Sequence, residues 1–441
     1  MTYGLNGHKL PKIGLKLLGL RTIIPDINGT DRERRCFHAF RIAVEENGLP
    51  TQGCAFVPFF ARMCPQISHQ EDAVKHAIVA LGAAYEYLQV PRVAVAAGSP
   101  MEKLEHFTVE QYTRSLSNLQ KNASRLPLQD TRLLVLVCCL SFLFLETMRG
   151  NRSEARTHLV NGLNIINGLP DSSFGFLNDL SADPERMGSG SKTALEDVIH
   201  IFGKLEIFGC FFDPGFEPVI ALRAYHIRRF YSGHDLVATP SLSEAHVHAT
   251  NYFRDVVGRL HEISSHIGDV AFWSQPVEHM HQRVLTTRTD NIVTLFDLLK
   301  DTPSAPRPGS DDFFSLQLDL LHICCARILL HKMEKIKSEA LGLIIPTFSI
   351  KDDLRHELQH VINLAHQHAL HTPVPKLLGM LGFASDADIV GLLYYVAVQS
   401  GDQAVAARAG LLLYEVNSLG GGYWDGTALS ALAEIAADAI N

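Results

Sequence analysis

LLVLVCCLSFLFLETMRGNRSEARTHLVNGLNIINGL, residues 133–169, reads as two consecutive helices whose character decides the fold. The run from Leu133 to Leu145 is apolar except for Ser141 and stops at Glu146. A helix that is apolar all round belongs in a core. This run is also shorter than the ~20 residues a bilayer span needs, so a central buried helix is expected, not a membrane segment. Asn151, with Glu154 behind it, opens the next helix. Leu159, Leu163 and Ile166 give that helix its apolar stripe, and Gly168 with Pro170 closes it.

The same punctuation recurs on both sides. Ser68-His-Gln-Glu71 predicts a capping box, followed by Val74, Ala77, Ile78, Leu81, Ala84, Tyr85 and Leu88 at three- and four-residue spacing. Ser241-Leu-Ser-Glu244 predicts another helix start. Strict period-two alternation between turn residues is hard to find, so the fold is expected to be all-α. A large multi-helix bundle or a stacked antiparallel helical array would accommodate 441 residues. Residues 170–192, which include Gly188-Ser-Gly-Ser191, and residues 301–312 (DTPSAPRPGSDD) read as loops. The expected organisation is an N-terminal extension over 1–30 and one helical domain over 31–441 interrupted by those loops.

Composition narrows the function classes. The chain is 46% hydrophobic and 20% charged, with a formal net charge of −8. Its densest basic stretch, Asp31-Arg-Glu-Arg-Arg35, is interrupted by acids. Without a basic face to neutralise phosphates, direct nucleic-acid binding is not expected. None of the eight cysteines forms a C-x-x-C pair, and the vicinal pairs Cys138-Cys139 and Cys324-Cys325 sit in apolar runs. They read as core thiols in a reducing compartment. The opening MTYGLNGHKLPKIGLKLLGL has no uninterrupted apolar core and does not read as a secretory signal. Phosphate- and dinucleotide-binding fingerprints and a G-x-S-x-G elbow are missing from the sequence, so no cofactor is expected.

The sharpest local pattern is His356-Glu357-Leu-Gln-His360 with His366 beyond it, the spacing of a zinc-protease site. On a helix opening at Ser349, the apolar stripe is Leu354, Leu358, Val361, Ile362, Ala365 and Ala369. His356 and His360 point away from that stripe, toward water, and no metal is expected there. Asp352-Asp353-x-x-x-Glu357 resembles the magnesium-binding acids of prenyl-diphosphate cyclases but lacks a facing acidic motif. It reads instead as acids in a first helical turn. Gly420-Gly-Gly422 follows a helix and reads as its stop. The aromatic residues Phe202, Phe208, Phe211 and Phe212, with Trp273 and Tyr225-His226, read first as core packing. They also supply the best place for an apolar ligand pocket, with Phe208, Phe212 and Trp273 on its wall and Glu206 as the polar handle.

Several of these blocks, taken in order, resemble the fungal-specific transcription factor domain, the regulatory region of zinc-cluster transcription factors. Phe37-x-x-Phe40, Phe59-Phe60 and QEDAVKHAIVALGAAYEYL (70–88) look like its opening. Residues 133–169 resemble its central helix pair, with Glu146, Gly150-Asn151, His158 and Gly162 in place. FGKLEIFGCFFD (202–213), IVGLLYYVAVQSGDQAVAARAGLLL (389–413) and GGGYWDGTALSALAEIA (420–436) follow in the same order. The likeness thus runs from about residue 30 to about residue 440. Two departures stand out: the chain holds no six-cysteine zinc cluster, and Gly421 stands where that family often has an acid before Trp424-Asp425.

The resemblance implies an effector-sensing, coregulator-binding protein of fungal secondary metabolism, nuclear or cytoplasmic. It would pair with a zinc-cluster transcription factor or coregulator and bind a small apolar metabolite without touching DNA itself. A second reading is a cofactor-independent enzyme of the cyclase or pericyclase type on the same helical scaffold. Such catalysis needs only a shaped cavity and one or two hydrogen-bond donors, and leaves no motif.

Overall fold

A computed structural model of the chain describes residues 26–47, 59–89, 100–123, 128–178, 194–212, 216–231, 241–300, 305–307, 310–343, 363, 393–394, 397 and 403–418. Among the described residues there are 13 α-helices and no strand, so the chain is all-α. It falls into two compact units that divide between Ile165 and Ile166.

The first unit runs through α1 (Asp31–Asn47), a π-helical turn (Phe59–Met63), α2 (Cys64–Ser68), α3 (Asp72–Gln89), α4 (Pro100–Ala123), α5 (Leu128–Met148) and most of α6 (Arg152–Asn167). Helix α3 packs on α1, α2, α4 and α5. It can take that many neighbours because its buried face is built from small residues, Ala73, Ala77, Ala80, Ala83 and Ala84, set among Val74, Ile78 and Leu81. Gly82 is the extreme case: a Cβ there would lie 1.8 Å from the Cys36 carbonyl oxygen of α1. Ser115 on α4 donates to the Ala73 carbonyl at 2.6 Å, and His76 shares a 2.6 Å hydrogen bond with Gln111.

The cap expected at Ser68 lies elsewhere. Ser68 is the last residue of α2, and its hydroxyl donates back to the Pro65 carbonyl at 2.6 Å. Helix α3 starts after Glu71, whose carbonyl accepts from Lys75 N at 3.0 Å. Pro65 at the first turn nucleates a short helix that sequence spacing alone merges into the next one. A true capping box opens α1 instead: Glu33 Oε2 accepts from Thr30 N at 2.7 Å, and Thr30 Oγ1 accepts from Glu33 N at 3.2 Å.

Helix α5 is the buried helix the sequence demands, with Leu134, Leu136, Val137, Cys138 and Leu140 fully enclosed. By length and hydropathy the segment Asp130–Met148 would suffice to cross a membrane, but 78% of that window is buried inside the protein. It ends in a Schellman motif: Asn151 N donates to the Glu146 carbonyl at 2.8 Å and Gly150 N to the Thr147 carbonyl at 3.0 Å. Gly150 takes a φ of 77°, open to glycine without the penalty a Cβ brings. The Glu146 carboxylate then accepts from Asn151 Nδ2 at 2.6 Å and Arg149 Nη1 at 3.2 Å, which fixes the departure of α6.

The second unit contains a 3-10 helix (Asp171–Asn178), α7 (Ala194–Phe212), α8 (Ile220–Arg228), α9 (Leu242–Ser264), α10 (Val270–Trp273), α11 (Pro276–Lys300), α12 (Asp311–Ala340) and α13 (Gln403–Ser418). Helix α9 is its axis and packs on α8, α11 and α12. It opens with the expected capping box, Ser241 Oγ accepting from Glu244 N at 3.2 Å and Glu244 Oε2 from Ser241 N at 2.8 Å. The 301–312 loop gives way to α12 at Asp311, because Ser310 Oγ accepts from Phe313 N at 3.2 Å and caps the helix. Within the loop expected at 170–192, Asp171–Asn178 closes into the 3-10 helix.

Cys36, Cys64, Cys138, Cys139, Cys324 and Cys325 are buried. Desolvation pushes Cys36 up to about 11 and Cys139 up to about 12, so neither is a thiolate at neutral pH.

Two glycines test the packing. Gly82→Ala and Gly258→Ala each drive a methyl group into backbone, at the Cys36 carbonyl oxygen (1.8 Å) and the Ala221 carbonyl oxygen (2.4 Å). Each is expected to cost about 2 kcal/mol or more in urea unfolding. Gly203→Ala, whose new Cβ meets a side-chain atom of Ile220 at 3.4 Å, should cost less.

Candidate functional site

Polar groups buried inside an apolar unit must find partners, and the second unit concentrates several of them around α8 and α9. Glu206 on α7 is fully buried. Its carboxylate accepts from the backbone amides of Ile220 at 2.8 Å and Ala221 at 2.7 Å, and from that of Val219 as well. These are orphan donors at the start of α8, where the helix dipole also favours negative charge. Burial pushes Glu206 up to about 7, against the opposing pull of the three amides and of Arg254.

Four turns of α9 carry a charged stripe within its buried face. Asp255 is buried and accepts from two guanidiniums: Arg228 of α8 through Nε at 2.9 Å and Nη2, and Arg288 of α11 through Nη1 at 2.5 Å. Arg254 is buried as well, and burial and the neighbouring Arg228 bring it down to about 10. Arg259 is paired with Glu262 at 2.5 Å and with Glu278 of α11. Its guanidinium carbon lies 5.8 Å from the Trp273 ring and 5.9 Å from the Tyr225 ring. His248 is held down to about 4, first by burial and then by Arg288.

A cleft of about 630 Å³ opens on the other side of α8. Val219, Leu222, Arg223 and His226 form one wall, with Phe174 of the 3-10 helix and His261 of α9 opposite. Arg223 lies over the Phe174 ring, 4.1 Å from its centroid, and donates to the Leu169 and Asn167 carbonyls at 3.4 and 3.3 Å. The cleft is therefore lined by the Arg223 guanidinium on the Phe174 ring and by the imidazoles of His226 and His261.

Of the residues singled out in the sequence, Glu206 anchors the helix that walls this cleft, and His226 lines it. Trp273 is buried in the apolar core, with Nε1 donating to the His266 carbonyl at 3.0 Å. Phe208 and Phe212 stand on α7 beyond Glu206, and their side chains lie outside the described residues. His356, Glu357, His360, His366, Asp352, Asp353, Gly420–Gly422 and Trp424-Asp425 also lie outside them. Among the described residues no group of His, Cys, Asp and Glu comes together as a metal set. The Arg–Asp255 network was missed by sequence reasoning. Its signal was available: Tyr252, Asp255, Arg259 and Ile263 fall at three- and four-residue steps on one face of α9.

Glu206→Ala leaves three amides of α8 without their acceptor and is expected to cost about 3 kcal/mol in chemical unfolding. His248 gives a pH signature. Its folded value of about 4 lies below the ordinary ~6.5, so the unfolded chain takes up a proton first on acidification. The stability it contributes is complete above pH ~6.5 and is lost as the pH falls toward 4. His248→Gln should flatten that acid-side fall in a series of melting curves.

Residues 58–211 match the family model described as the fungal specific transcription factor domain. The match covers α2 to α6 and α7 nearly to its end, so it includes Glu206, while Arg228, Asp255 and Arg288 lie beyond it. No curated protein and no solved structure matches the chain. Over residues 58–211, about a third of its length, the chain is therefore similar to the fungal specific transcription factor domain, a likeness that supports a transcription-factor-like regulatory role.

Proposed function

We propose that the chain is an effector-sensing regulator of fungal secondary-metabolism genes. It acts in the nucleus through a zinc-cluster transcription factor or coregulator, not through DNA contacts of its own. The observation that carries this reading is the family match over residues 58–211. The acidic balance, −8 over 441 residues, supports a protein partner over a phosphate backbone. The α8 cleft, about 630 Å³, is of the size that takes a small metabolite.

The effector site in this reading is the α8 cleft, and Glu206 serves it by fixing the helix that forms its wall. A ligand in this cleft would bear on both α8 and α9, through Arg223 and His261.

The test is deletion of the gene in its host, with pathway transcripts and metabolites followed in the same cultures. A set of transcripts falling together is the expected result. Steady transcripts with a single accumulating precursor would replace this reading with the cyclase or pericyclase one, and that precursor would be the substrate.

A further inference from the structure

Asp255 and its arginines do not balance. Arg228 and Arg288 both bond this one carboxylate, and Arg254 beside it feels Asp255, Arg228 and Glu206. Each of the three arginines is buried. A buried guanidinium normally makes charge-assisted bonds along its whole donor edge, because an unpaired charge out of water is costly.

The deficit has a definite location. Arg228 gives Asp255 its Nε–Nη2 edge, the fork that grips two coplanar oxygens. Arg288 gives Asp255 only Nη1. Its own Nε–Nη2 edge is buried and has no hydrogen-bond partner, and the same holds for Arg254 Nε. Aromatic faces border the Arg288 guanidinium: its carbon lies 5.2 Å from the Tyr231 ring and 5.7 Å from the Tyr252 ring. Tyr252 is fixed by its hydroxyl contact with Thr289, whereas Tyr231 is half-buried, just past the end of α8.

We propose that the Nε–Nη2 edge of Arg288, bordered by Tyr231 and Tyr252, is a binding site for a small anion with two coplanar oxygens, a carboxylate or a phosphate. The anion completes the charge balance that Asp255 starts. A carboxylate carried on a flat apolar body suits the two phenol rings, and a phosphate suits the fork alone. Access requires Tyr231 to move off the guanidinium. The site is separate from the α8 cleft and does not rest on the regulatory reading.

The test uses the full chain and thermal unfolding at constant ionic strength, with inorganic phosphate, acetate and benzoate each titrated against chloride. A saturable rise in Tm, on the order of 5 °C at about 100-fold excess over Kd, is expected for at least one of the three and not for chloride. Benzoate surpassing acetate identifies a carboxylate on an apolar body, and phosphate surpassing both identifies a phosphate site. Arg288→Lys keeps the charge but not the fork and should abolish the rise. Arg254→Lys, a second variant should the first fail to fold, should weaken it. The proposal is overturned if no probe exceeds chloride, or if the rise persists at full size in either folded variant.

Discussion

A carboxylate removed from water has to find its counter-charges inside the protein, and in the second unit Asp255 finds them on two different helices. Arg228 reaches it from α8 and Arg288 from α11, while Asp255 itself stands on α9. The three helices are thereby fixed in rotation as well as in distance. An apolar contact tolerates sliding, but a bidentate guanidinium–carboxylate pair does not. Burial of such a pair is weak evidence for net stability, since desolvation consumes most of the Coulomb gain. Its value here is geometric: it sets which face of α8 turns toward α9 and which face is left to line the cleft.

Glu206 applies the same logic one helix earlier. The start of α8 carries orphan amides, and a glutamate from α7 satisfies them where a local cap would ordinarily do so. Val219, at the N-cap position, makes no side-chain cap bond. The helix is therefore held by a residue 14 positions upstream of Ile220, which ties the end of the family-matched segment to the polar core beyond it. The first unit packs mainly through small residues. Alanines and Gly82 let α3 lie against several neighbours at once, and His76 on α3 bonds to Gln111 of α4.

Much of the helical content was legible because caps and periodicity are local. Ser241 with Glu244, the helix start at Asn151 and the burial of the apolar run before Glu146 all follow from residues within one or two turns of each other. The cap placed at Ser68 failed for an equally local reason. Pro65 opens a short helix of its own, and Ser68 turns back to its carbonyl. Glu206 reads in the sequence as the polar handle of a ligand pocket, and in the structure its carboxylate takes the backbone amides at the start of α8. Its partners, the amides of 219–221, could not be inferred, because backbone amides carry no signature in the sequence. The arginines were overlooked for another reason: in a list of residues, a buried arginine looks the same as a solvated one.

The sequence by itself determined the all-α class, the helix starts at Asn151 and Ser241, the resemblance that the family match supports over 58–211, and the burial of the vicinal pairs Cys138-Cys139 and Cys324-Cys325. Each of these depends on the spacing of apolar and capping residues along one chain segment. The tertiary structure alone decided that Asp255 joins α8 to α11, that Glu206 holds the start of α8, and that one edge of Arg288 lies unpaired beside two tyrosines. Those outcomes depend on side chains up to 57 positions apart meeting in a medium where charge cannot be left alone. Local spacing carries no information about such meetings.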